Sequence, residues 1–167
     1  MYITDKYWNN YIGDTDDSLT LLEYLAGKQK EEISLEEIFS DFGLDKLQGN
    51  FRETDMPLTF TTEEDWEMEI QYAIDLITDL AALLLECRMS GSINLCELLE
   101  DDLETEFPDI RITAAPKEQE QIKQALTDFV SEPLAYDLAE MCSEEEMQEM
   151  AEVCEALRKE LYGKNFS

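Results

Sequence analysis

The stretch WEMEIQYAIDLITDLAALLLECRMSG, residues 66–91, decides the fold. Trp66, Ile70, Ala73, Ile77, Leu80, Leu84 and Cys87 recur at steps of four and three, and Ile74, Ala81 and Leu85 widen the stripe. That period places them along one face of an α-helix, stopped near Ser90-Gly91. A helix over 66–89 is therefore expected as the spine of the molecule. Its beginning has a second reading. Trp66, Met68 and Ile70 also alternate at period two, which would pair them as a strand with Pro57-Leu58-Thr59-Phe60-Thr61. Asp75 and Asp79 stand one turn apart in this helix and are expected on its solvated face.

Shorter helical patterns lie on either side. Asp17 or Ser18 caps a helix over 18–27 carrying Leu19, Leu22 and Leu25, with Gly27 as its stop. Ser34 with Glu37 has the form of a capping box, and the short helix it opens ends near Gly43. Leu95, Leu98 and Leu99 suggest another short helix. Ile110-Arg111-Ile112-Thr113 reads as a strand. Pro116 is placed to open a helix over 117–130, which Pro133 interrupts. Ser143 with Glu146 is a second capping box, opening a helix over 143–162 that carries Met147, Met150, Cys154, Leu157 and Leu161. The fold expected is mainly α: a single helix-dominated domain over 1–167, with at most a small β element around 57–61 and 110–113.

Charge sets this chain apart. Twelve Lys and Arg face 41 Asp and Glu, a net charge of −29, while 44% of the residues are hydrophobic. The apolar share is enough for a core and argues against a disordered acidic tail. Self-repulsion of that size weakens the compact state, and it attracts cationic surfaces while repelling nucleic acid and anionic membrane.

The chain has no histidine. That excludes Ser-His-Asp and Cys-His nucleophiles, His-ligated zinc and Glu-x-x-His di-iron sites. Cys87, Cys96, Cys142 and Cys154 form no Cys-x-x-Cys pair, so reduced thiols in a cytoplasmic protein are expected. The start, MYITDKYWNN, lacks the basic and apolar regions of a signal peptide, and no stretch is apolar enough to span a membrane. The six glycines are scattered, with no phosphate-binding loop among them. Asp14-x-Asp16-Asp17 resembles the opening of an EF-hand loop, but Leu19 and Leu25 stand where that loop needs Gly and Glu. No metal, cofactor or catalytic residue is expected.

Two segments combine carboxylates with apolar anchors. In residues 97–109, Glu97, Glu100, Asp101, Asp102, Glu104, Glu106 and Asp109 surround Leu103 and Phe107. Charges that steer and an aromatic to bury make a binding surface. Asp14, Asp16 and Asp17, beside Tyr7, Trp8 and Tyr11, have the same make-up, although large aromatics more often belong to the core. All twelve of those acids and anchors from 14 to 17 and from 97 to 109 are taken as candidate partner-binding residues.

Three segments carry a resemblance: Tyr7-Trp8-Asn9-Asn10-Tyr11-Ile12-Gly13, Ile38-Phe39-Ser40-Asp41-Phe42-Gly43-Leu44-Asp45 and residues 75–84. With the acidity and size, they make the chain resemble the immunity proteins encoded beside bacterial polymorphic toxins. The resemblance implies stoichiometric inhibition of a cognate toxin and carries over no specific residue. The partner expected is a cationic protein toxin such as a nuclease, bound by a chain that is monomeric when free. The alternatives are a DNA mimic occupying a nucleic-acid-binding protein, and an acidic adaptor or regulatory subunit. An enzyme would require a carboxylate with a raised pKa in a cleft.

Overall fold

Every residue from Ala73 to Glu86 is buried in the computed structural model, which describes residues 2–8, 11–47, 50–53, 58–62, 64–99 and 106–162. Those residues belong to the central helix α4 (Ala73–Ser90). A helix buried on all sides needs neighbours on all sides. They are α1 (Tyr2–Lys6), α2 (Asp16–Gly27), α6 (Pro116–Ser131) and α7 (Glu144–Tyr162), with strands β4 (Ile93–Asn94) and β5 (Asp109–Thr113). The remaining elements are α3 (Leu35–Phe42), α5 (Leu95–Leu99), strands β1 (Glu32–Ser34), β2 (Leu58–Thr61) and β3 (Glu67–Ile70), and short 3-10 turns at Leu44–Leu47, Pro133–Ala135 and Asp137–Glu140. The fold is mainly α, and one continuous cluster of buried side chains runs from Ile3 to Tyr162.

The spine therefore begins at Ala73 rather than residue 66. Residues 67–70 take the strand alternative and form a hairpin with β2, pairing Leu58 with Ile70 and Phe60 with Met68. Leu58 and Ile70 are buried, and Phe60 packs edge-on against Tyr24 at 5.1 Å between ring centroids. The β content is also larger than expected. β5 pairs in parallel with β1, placing Ile112 opposite Ile33, and antiparallel with β4 on its other side.

Several helix ends follow the cap chemistry. Ser34 Oγ accepts the Glu37 N–H at 3.2 Å, and Gly43 closes α3 with a left-handed φ of 78°. Ser143 and Glu146 form the reciprocal box that opens α7. Replacing Ser34 with alanine should cost about 1 kcal/mol, read as a shifted urea midpoint at unchanged m-value. The cap of α2 differs from expectation. Thr15 is the N-cap, and Ser18 is its reciprocal partner three residues on. Leu19 is exposed at 48%, and Leu21 takes the buried place beside Leu22 and Leu25.

Asp75 and Asp79 are not solvated, because α4 has no solvated face along this stretch. They are 4% and 1% exposed, and Glu86 is fully buried as well. Steps of four and seven put all three on one side of the helix, and that side grips the N-terminal segment. Glu86 accepts the Ile3 N–H at 3.0 Å. Asp79 accepts the Gly13 N–H at 3.1 Å and the Ser18 hydroxyl at 2.6 Å. Asp75 lies close to Asp17 and Asp79. A buried carboxylate is tolerated only when bonded in this way. Tyr7 and Trp8 belong to the core over this ladder.

Candidate functional site

The candidate residues that the structure describes divide between two ends of the molecule. Asp14 and Asp16 are exposed at the start of α2, next to the N-terminus of α4. Asp17 is buried and otherwise engaged. Its carboxylate accepts the backbone N–H groups of Gln71 and Tyr72 at 2.8 and 3.0 Å. Tyr72 is the N-cap of α4 and has no side-chain cap of its own, so Asp17 supplies that cap from another helix. At the far end of α2, Gln29 accepts the Glu106 N–H at 3.0 Å. The twelve residues of α2 span about 18 Å at a rise of 1.5 Å per residue. Asp14 and Asp16 are thus held apart from Glu106 by the length of a helix.

Within the second segment, Glu97, Glu106 and Asp109 are exposed and Phe107 is half-buried. Asn94 organises this end. Its Oδ1 accepts the Glu97 N–H at 2.9 Å, opening α5, and its Nδ2 donates to Asp109 at 3.0 Å. Glu100, Asp101, Asp102, Leu103 and Glu104 lie outside the described residues.

The end of the molecule near the α4 N-terminus carries more acid than the sequence revealed. Asp137 and Glu140 lie close enough to raise the pKa of Tyr72, after the larger effect of burial. With Glu53 they line a groove of about 740 Å³ beside Leu134, which is 46% exposed. Glu144, Glu145 and Glu146, at the start of α7, are exposed next to Met141.

The β2–β3 hairpin also rises at this end. Its tip presents Trp66 at 71% exposure, among exposed Glu64, Asp65, Glu67 and Glu69. Sequence reasoning missed this residue by counting it in the apolar face of the spine. The signal that could have found it is the turn chemistry of Thr62 and Asp65 just before it. Asp65 adopts a left-handed φ of 65°, which Asp tolerates better than most residues.

The carboxylates with raised pKa values have structural work. Burial, then repulsion from Asp79 and Asp17, pushes Asp75 up to about 9. Burial pushes Asp79 up to about 7 against the opposing bonds from Ser18 and Gly13. Neither residue lines the described surface grooves. The bonds that the Asp79 oxygens accept from Gly13 and Ser18 hold α4 to the N-terminal segment. Among the described residues no group of His, Cys, Asp and Glu is arranged to hold a metal ion, and no helix is long and apolar enough to cross a membrane.

No curated protein matches this chain, and no solved structure does. A family model does, over residues 2–161, and its description is Immunity protein 68. The match takes in both acidic ends, the hairpin and the whole carboxylate ladder, and the chain belongs to the Immunity protein 68 family.

Proposed function

We propose that this protein neutralises a cognate toxin by stoichiometric protein–protein binding, and that the toxin is a cationic protein with nuclease activity. The observation that carries the cationic part is the internal use of the chain's own cations. Lys6, Lys28, Lys30, Arg52, Arg111, Arg158 and Lys159 are all in ion pairs with its carboxylates. Arg88 donates to the Leu161 carbonyl. The large surplus of surface acid is left for a partner to neutralise. Such a field steers a basic protein to the surface and repels a second copy of the chain. A nuclease surface built for phosphates accepts carboxylates in their place. The chain acts in the cytoplasm, as a monomer until it meets its partner.

The test uses the C-terminal domain of the protein encoded immediately upstream of this chain's gene. Its nuclease activity on plasmid DNA should fall to zero at one equivalent of the chain. The association rate should drop steeply between low and high salt. Glu97→Gln, Glu106→Gln and Asp109→Asn at one end, against Asp14→Asn and Asp16→Asn at the other, report which acids steer. Undiminished toxin activity at tenfold excess of the chain would end the inhibitor reading. Inhibition with no salt dependence would remove its electrostatic part.

A further inference from the structure

A tryptophan exposed at 71% needs a reason, because its ring offers some 150–250 Å² for burial. Trp8, the other tryptophan, is 4% exposed within the core. Along β3 the inward positions are Met68 and Ile70, and Trp66 continues their period-two face. Met68 and Ile70 have the body of the protein to pack against. At Trp66 the hairpin overhangs it.

The overhang is built rather than frayed. The Thr62 carbonyl accepts the Asp65 N–H at 3.0 Å, and the Thr62 N–H donates to the Trp66 carbonyl at 2.8 Å. The Thr62 hydroxyl accepts the Trp66 N–H at 3.1 Å. Three bonds to one residue fix the backbone that presents the indole. At the base, Phe60 joins Tyr24 and Phe42 at 5.1 and 6.1 Å between ring centroids, and Lys28 lies over the Phe60 ring. An anchor held this way loses little conformational freedom on binding.

The rim selects the occupant. Glu64 and Asp65 are exposed in the turn beside the ring, and Glu67 and Glu69 are exposed on the other face of β3. Four carboxylates repel a second copy of this chain, a nucleic acid and an anionic membrane alike. A basic protein surface with an apolar pocket at its centre complements both features. An apolar or aromatic anchor within a charged rim is the arrangement of an interface hot spot. Resting on the inhibitor reading above, we infer that the β2–β3 hairpin tip is the toxin-contacting anchor, with Trp66 inserted in a pocket of the toxin and the surrounding carboxylates paired with basic residues at its mouth.

The experiment uses the intact chain and the same upstream-encoded domain. Acrylamide quenching of tryptophan fluorescence reports Trp66 in the free chain, because Trp8 is buried. Complex formation should protect the exposed fluorophore. Trp66→Ala should weaken binding by at least about 30-fold, and Trp66→Phe should fall between it and the parent. Thermal melting of both variants should stay close to the parent, since the side chain is 71% exposed. Neutralising the rim with Glu64→Gln, Asp65→Asn and Glu67→Gln should slow association several-fold and flatten its salt dependence. Parental affinity in Trp66→Ala, with quenching unchanged in a complex that forms, would overturn the hairpin assignment and leave the inhibitor reading standing. Failure of the parent chain itself to bind the domain overturns both. Protection that grows with the chain's own concentration would mean a second copy covers Trp66, which also overturns the assignment.

Discussion

Gly13→Ala is expected to cost about 3 kcal/mol or more and to lower the melting temperature by about 10 °C. The residue has a φ of +83°, and a Cβ added there would sit 2.3 Å from Cδ2 of the Trp8 ring and 2.4 Å from Cε2. The left-handed backbone alone costs a non-glycine residue roughly 1 kcal/mol. The clash is the larger part. Trp8 is buried in the core, so its ring has no free direction in which to move. Any backbone shift at Gly13 also pulls its N–H from Asp79, leaving a buried carboxylate short of a donor. Gly27→Ala serves as the contrast. Nothing lies within 4 Å of an added Cβ there and the residue belongs to α2, so the change should be neutral or stabilising by up to about 1 kcal/mol. Melting curves of the two variants followed by circular dichroism decide the matter. A Gly13→Ala protein as stable as the parent would show that the Trp8 packing yields easily.

This glycine also marks the limit of what the sequence could say. Helical periods, capping boxes and the stops at Gly43 and Gly91 are local, and they placed most of the helices within two residues. The burial of α4 on all sides is not local. Its carboxylates read as solvent-facing because their partners are remote: Ser18 is 61 residues from Asp79, and Ile3 is 83 from Glu86. Strands β1 and β4, of three and two residues, are too short to show alternation and exist because β5 runs between them. The candidate site divides in the same way. The acidity was legible from composition. The separation of Asp14 and Asp16 from Glu106 by the length of α2 was not. Nor was the exposure of Trp66, which depends on where the body of the protein ends beneath the hairpin.

Asp75→Asn should raise stability at pH 8 by about 2 kcal/mol, or roughly 5 °C in melting temperature, and should gain much less at pH 5. An unfolded chain releases the protons of both aspartates near pH 4. The folded chain holds that of Asp79 to about 7 and that of Asp75 to about 9. Between these limits the folded state binds more protons, so its stability falls as pH rises. Glu37, bonded to Lys28 and Lys30, and Asp128, bonded to Arg52, act in the opposite sense. Their carboxyls lie below the ordinary range, and the stability they add is present above it and lost in acid. The melting temperature should therefore peak near pH 5 and decline toward pH 9. Overall repulsion in a chain of net charge −29 contributes to the same decline, and the Asp75→Asn variant separates the two effects. The amide it introduces has nearly the shape of the protonated carboxyl but has no proton to lose beside Asp14, Asp17 and Asp79. If the buried carboxyl is responsible, the gain over the parent widens steadily from pH 5 to pH 8. If the decline is only surface repulsion, parent and variant fall in parallel. The ladder that holds the N-terminal segment to α4 would then be indifferent to its own ionisation.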